Sequence, residues 1–373
     1  TLDSDANLGK MQASTTFSDG SGVTSVALSG AAISEEVSSD WSSATLEYTL
    51  SNPDPDNDPQ QDDYARSVAI SGDYAIVGVP GEANYSGKAY IYNATTSTLL
   101  YTLNNPNPYT TSGTLWQNNN DQFGYSVAIS GDYAIVGAKG EDDAGGLDSG
   151  KAYIYNVTTG TLVHTLDNPN PYGTSAADEF GGSVAISGNY AIVGAHGEDD
   201  AQYVNMSGKA YIYNVSTGAL VHTLNNPNPF NTSDVDIFGY SVAISGDHAI
   251  VGAYAEDDSG GLNSGKAYIF NVATGALVHT LDNPNAYSTS ASDNFGRTVA
   301  ISDNYAIVGA WSEADAGGTA SGKAYIFNVN SGLLVHTLDN PNPYSTAGND
   351  RFSWSLGISG DYAIVGAIGE DDA

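Results

Sequence analysis

The sequence predicts an all-β fold: a β-propeller of six blades, each of four antiparallel strands, with an extended N-terminal arm. Three observations predict it. The stretch "FGYSVAISGDYAIVGA" at 123–138 recurs nearly unchanged at 180–195, 238–253, 295–310 and 352–367, with a degraded copy at 64–79. The glycine of "IVG" stands at 78, 137, 194, 252, 309 and 366, so the units are 57–59 residues long, enough for four short strands. Within a unit, side chains grow from Ala, Ser and Gly to paired Tyr, as in sheets that radiate from a crowded axis.

One unit shows the elements in order. "SVAIS" (126–130) alternates Val127 and Ile129 with small residues and reads as strand A. The turn "GDY" leads to "AIVGA" (134–138), strand B. After the loop "KGEDDAGGLDSG" come "KAYIYN" (151–156) as strand C, the turn "VTTG", and "LVHTL" (162–166) as strand D. Helical periodicity is missing throughout. Counting gives a lone D strand at 45–50, five complete sets ending at Leu338, and strands A and B once more at 354–367. Six blades of four need one more strand. The lone D strand can complete the last blade, with the missing C strand coming from "VTSVALSG" (23–30) or from beyond Ala373. The expected division is therefore an attachment arm over 1–44 and a propeller over 45–373.

Composition bounds the partners. The 43 acidic residues against 10 basic ones give a formal net charge of −33. Nucleic acid is excluded as a partner, because binding it needs a cationic surface, and anionic membranes are disfavoured for the same reason. No apolar run reaches the length of a membrane-spanning helix, so no membrane insertion is expected. The absence of cysteine removes disulfides, thiolate metal sites and thiol nucleophiles. An extracellular, saline medium suits such a surface, since salt screens its self-repulsion.

The pattern "FG…SVAISGD…AIVGA" resembles the FG-GAP repeat of integrin-α-type β-propellers, over residues 45–373. More narrowly, "SGKAYIYNVTTG.LVHTLDNPNPY" is similar to repeats in virion and tail-fibre proteins of marine phages. The first resemblance implies a calcium loop of D-x-D-x-D-G type between strands A and B. This sequence has only "SGDY" or a variant there, and one carboxylate cannot supply the six to eight oxygens that calcium takes.

The B–C loops are richer in acid. Glu141, Asp142 and Asp143 open one, and Asp199, Asp200, Asp257 and Asp258 open its echoes. Such loops could hold calcium, or they could form a solvated acidic rim. The lysine of "SGKAY" (Lys88, Lys151, Lys209, Lys266, Lys323) is placed for an ion pair with an acidic loop. His164, His222, His279 and His336 share their position with Tyr48 and Tyr101, which points to packing rather than metal binding or catalysis. The aromatics of "NPNPY" (Tyr109, Tyr172, Phe230, Tyr287 and Tyr344, the fourth in the variant "NPNAY") are expected to pack between blades. No catalytic motif is present.

Two positions vary in chemistry while their neighbours hardly change. After "FG" or its counterpart stand Arg66, Tyr125, Gly182, Tyr240, Arg297 and Trp354; after "VGA" or its counterpart stand Pro80, Lys139, His196, Tyr254, Trp311 and Ile368. Both fall on the face shared by the B–C and D–A loops. Arg66, Tyr125, Tyr240, Arg297, Trp354, Lys139, His196, Tyr254 and Trp311 are therefore candidate binding residues, since Tyr, Trp and Arg most often anchor interfaces. Relaxed constraint at exposed strand ends is the alternative. The function expected is a non-enzymatic extracellular propeller, a phage tail fibre or virion appendage touching a host glycan or protein. The alternatives are an architectural subunit meeting its neighbours or its own copies, and a secreted bacterial adhesin or lectin.

Overall fold

The computed structural model of the chain describes residues 12–14, 25–29, 48–55, 62–108, 120–142, 148–170, 177–199, 206–229, 235–257, 262–284, 292–314, 320–341 and 350–369. It is all-β. At the N-terminal end lie β1 (Gln12–Ser14), β2 (Ser25–Ser29) and β3 (Tyr48–Ser51). The first blade is β4 (Ser67–Ser71), β5 (Tyr74–Val79), β6 (Lys88–Asn93) and β7 (Leu99–Asn104). The second is β8 (Phe123–Ser130), β9 (Tyr133–Ala138), β10 (Lys151–Asn156) and β11 (Thr161–Asp167), and the third β12 (Ser183–Ser187), β13 (Tyr190–Ala195), β14 (Lys209–Asn214) and β15 (Leu220–Asn225). The fourth is β16 (Ser241–Ser245), β17 (His248–Ala253), β18 (Lys266–Asn271) and β19 (Leu277–Asp282). The fifth is β20 (Phe295–Ser302), β21 (Tyr305–Ala310), β22 (Lys323–Asn328) and β23 (Leu334–Asp339). Strands β24 (Ser355–Ser359) and β25 (Tyr362–Gly366) open the sixth. Each complete blade is an antiparallel meander in chain order, A to D.

The core lies between blades. Side chains alternate along a strand, so β5 sends Ile76 toward the second blade and Val77 and Val79 the other way. Ile76, Ile91 and Leu103 of the first blade meet Phe123, Val136 and Tyr153 of the second, and the same set recurs at the next three junctions. Strands buried on both faces read as continuous apolar runs, which is why "AIVGA" does not alternate.

Two glycines set how close neighbouring blades come. A Cβ on Gly137 would lie 2.0 Å from the carbonyl oxygen of Gly181, the glycine of the next "FG". Gly181 holds φ +88°, a conformation that glycine adopts at little cost. Gly78, Gly194 and Gly252 meet Gly124, Gly239 and Gly296 in the same way. Around the axis, serines of "SVAIS" lace successive A strands: Ser67 Oγ accepts from Val127 N at 3.0 Å, and Ser126 Oγ from Val184 N at 2.9 Å. On the outer rim, Tyr101 Oη donates to Thr158 O at 2.5 Å, while Nε2 of His164, His222 and His279 meets the matching carbonyl of the next blade at 3.0–3.2 Å. Tyrosine and histidine interchange there because both reach the same turn.

The ends depart from the pattern. The segment expected as a free arm contributes β2, which pairs with β3 as the proposed C strand would, and β1 then covers the other edge of β2. Residues 1–44 thus contain two paired strands, the second within "VTSVALSG" (23–30). Leu50 of β3 packs on Tyr64, Val77 and Tyr90, as Leu103 packs on the second blade, so β3 takes the D position ahead of the first blade. Among the described strands β25 pairs only with β24, and Ile364 is 51 % exposed where its counterpart Ile76 is 0 % exposed. The sixth unit is thus a two-stranded sheet among the described strands, and β1–β3 form a separate three-stranded sheet.

Candidate functional site

The same backbone turn precedes every A strand. The residue before "FG" has φ between +52° and +59° at Asp63, Gln122, Glu179, Ile237, Asn294 and Arg351. The residue after it donates its N–H back to that residue's carbonyl, as in Tyr125 N to Gln122 O at 3.0 Å and Trp354 N to Arg351 O at 3.1 Å. Six alike turns thus deliver residues of four types, Arg, Tyr, Gly and Trp, to equivalent places at the start of the strands that line the axis.

The variable side chains meet. The Arg297 guanidinium lies over the rings of Tyr240 (4.9 Å), Tyr254 (5.0 Å), Trp311 (5.1 Å) and Trp354 (5.4 Å). Trp311 and Trp354 pack edge to face with centroids 5.3 Å apart, and Tyr240 does the same with Tyr254 at 4.7 Å and His196 at 5.1 Å. Opposite, Arg66 (4.7 Å) and Lys139 (4.5 Å) lie over Tyr125, and Arg66 Nη2 donates to Tyr125 Oη at 2.9 Å. Burial pushes the Tyr240 phenol up, and that phenol also feels the charges of Arg297 and of Arg66, three blades away. All nine candidate binding residues fall into this one axial cluster, fed by every blade. Contacts of this kind contribute about 0.5–2 kcal/mol each, more as water is excluded.

Two members were not singled out from the sequence. Arg351 lies over Trp311 at 5.0 Å and Trp354 at 5.5 Å, and Glu179 bonds both Lys139 and His196 at 3.0 Å. Burial alone would push the Glu179 carboxyl up; the His196 and Lys139 contacts outweigh it and hold the group down at about 2. Both residues occupy the position before "FG", which varies among copies as much as the two positions that were chosen. That variation was the available signal.

The acidic loops divide into two roles. Asp142, Asp199 and Asp257 accept the backbone N–H of Asp148, Met206 and Asn263 at 2.6–2.8 Å and close their own loops. Asp143, Asp200 and Asp258 lie outside the described residues, as do Tyr109, Tyr172, Phe230, Tyr287 and Tyr344. Glu141 is not on a rim. It is 1 % exposed, takes the Tyr153 hydroxyl on both oxygens at 2.6 and 2.8 Å, and accepts from Asn107 Nδ2 at 2.8 Å. Glu82, Glu198, Glu256 and Glu313 repeat the tyrosine contact. Lys88 and Lys209 pair with Glu82 and Glu198 at 2.8 Å, and Lys151, Lys266 and Lys323 with Asp167, Asp282 and Asp339 at the ends of the D strands. Among the described residues no three acidic or histidine side chains gather to hold a metal ion.

This buried network makes stability depend on pH. Burial pushes the Glu141 and Glu256 carboxyls up to about 7, against the hydrogen bonds from tyrosine and asparagine and the nearby lysine charge. A carboxyl raised in the folded state favours folding at low pH, and its contribution disappears as pH rises from about 4.5 through about 7. The size is on the order of 3 kcal/mol per group. The melting temperature is expected to fall between pH 5 and pH 8, and less steeply in Glu141→Gln. An equal slope in the variant would place the titration elsewhere.

The FG-GAP repeat family matches the chain at residues 55–92, 117–155, 171–213, 231–270, 286–327 and 343–373, each match running from the D–A loop into strand C, except that the last ends at Ala373. No curated protein matches the chain. FG-GAP propellers are in general non-catalytic and typically occur in extracellular proteins, and no helix among the described residues is long and apolar enough to cross a membrane. With its six matches, its five complete four-stranded blades and the glycine contacts that give "FG" and "IVG" their purpose, the chain belongs to the FG-GAP repeat family.

Proposed function

We propose that the chain is an extracellular binding propeller whose axial cluster touches a molecule on a host cell surface, as part of a phage tail fibre or virion appendage. One observation carries the reading: the copies diverge in chemistry at the positions whose side chains converge on the axis. Drift at exposed strand ends gives no reason for aromatic rings to enclose a guanidinium. The phage setting is supported by the spelling of the repeats. The exposed apolar residues of β25, Tyr362 and Ile364, favour a second reading, a subunit that meets its neighbours in a virion or filament.

Binding of the labelled protein to marine bacterial cells at seawater salt tests the first reading. Saturable binding is expected, reduced at least tenfold in Trp354→Ala with the melting temperature within a few degrees of wild type. Wild-type binding by both Trp354→Ala and Trp311→Ala would remove the axial cluster from the contact.

A further inference from the structure

The axial cluster gathers the chain's scarce positive charge. All three arginines of the chain, Arg66, Arg297 and Arg351, belong to it, together with Lys139, in a protein of formal net charge −33. The five "SGKAY" lysines are spent on ion pairs within the blades. A local positive field on an otherwise negative surface marks a place where an anion is held at short range.

The guanidiniums are presented rather than consumed. Arg297 and Arg351 are held among aromatic rings, and each guanidinium carries its N–H donors in a planar fork. Neither side chain meets a carboxylate among the described residues. The acids nearby are engaged with other groups: Glu179 bonds Lys139 and His196, and Asp148 sits beside Lys139. Three buried polar atoms of the cluster, Arg351 Nε, Trp311 Nε1 and His196 Nδ1, have no partner among the described residues. Buried polar groups are in general satisfied, and Arg351 Nε and Trp311 Nε1 carry hydrogens, so these two point to an outside acceptor.

The geometry points to an acidic saccharide as the ligand, its carboxylate or sulfate received by Arg297 and Arg351 and its ring laid against Trp311 and Trp354. This deepens the binding reading above and rests on it. A peptide is the poorer fit, because peptides add to open strand edges or fill apolar grooves, and the A strands here are laced to one another. Trp311 and Trp354 supply apolar surface beside the arginines, while the arginine forks supply bidentate recognition of the acid.

Titration of the full chain with four probes tests the assignment: an oligogalacturonate, a sulfated galactan oligosaccharide, a neutral galactan oligosaccharide of equal length, and an oligoglutamate peptide. Saturable binding of the carboxylated or the sulfated probe is expected, the stronger of the two identifying the source of the acid, with the neutral probe at least tenfold weaker. Arg351→Gln is expected to weaken binding about tenfold or more, and Arg351→Lys, which keeps the charge and loses the planar fork, to weaken it too. Unchanged melting in Arg351→Lys separates this from misfolding. Failure of both acidic saccharides to bind, equal binding of the neutral one, or indifference to Arg351→Gln would overturn the proposal. Oligoglutamate binding without saccharide binding would overturn it in favour of a protein partner. Cell binding that depends on Trp354 and is not displaced by either acidic saccharide would overturn it and leave the binding face standing.

Discussion

Gly137→Ala is expected to cost more than about 4 kcal/mol and to leave little folded protein. The added Cβ would stand 2.0 Å from the Gly181 carbonyl oxygen and 3.2 Å from the Gly181 Cα, all backbone of the next blade. Overpacking in a core costs about 1–3 kcal/mol when side chains can yield. Here β9 is held by ladders to β8 and β10, so the blades themselves would have to part. Gly131→Ala is the control. Its φ is +53° with nothing within 4 Å, so only the left-handed backbone cost of about 1–2 kcal/mol applies. Urea unfolding of the two variants measures the difference. Equal destabilisation would mean that the blades do not approach at Gly137.

Glu198→Ala is expected to cost about 3–5 kcal/mol, the range for removing one partner of a buried ion pair. Glu198 is 0 % exposed, Lys209 is 6 % exposed, and their charged atoms are 2.8 Å apart. The same carboxylate accepts from Tyr211 Oη at 2.5 Å and from Asn170 Nδ2 at 2.7 Å, tying the B–C loop, strand C and the D–A loop together. Alanine would remove the carboxylate from two buried donors, Lys209 and Tyr211, and from Asn170 at once. Glu198→Gln keeps the shape and part of the hydrogen bonding, and is expected to fall between wild type and alanine in chemical denaturation. A loss under 1 kcal/mol in Glu198→Ala would show that the network does not hold the loop.

The regular part of the fold was legible because each strand has its own spelling. "KAYIYN" became β10 with the same limits, and "SVAIS" and "AIVGA" became A and B strands within a residue or so, except that "FGY" and "FGR" extend β8 and β20 past a bulge. The variable positions were legible for the same reason, since uniform copies expose their own exceptions. Side-chain direction in loops was not legible. "GEDD" reads as four similar surface residues, yet Glu141 turns inward to Tyr153 while Asp142 caps its own loop. That difference depends on where strand C places a hydroxyl, which no spacing records. The role of "IVG" was hidden similarly: a glycine in a strand signals close approach, but the approaching carbonyl belongs to the next blade.

The central claim is that the ring brings residues three blades apart onto one axis. The chain has no cysteine, so Arg66→Cys combined with Tyr240→Cys introduces the only two thiols. The decisive measurement is cross-linking of that pair with a short bismaleimide in dilute solution. Efficient cross-linking within one chain is the predicted result, comparable to that of the adjacent-blade pair Arg66→Cys and Tyr125→Cys. Cross-linking of the adjacent pair alone would describe an open array with no shared axis, and would contradict both the ring and the site at its centre.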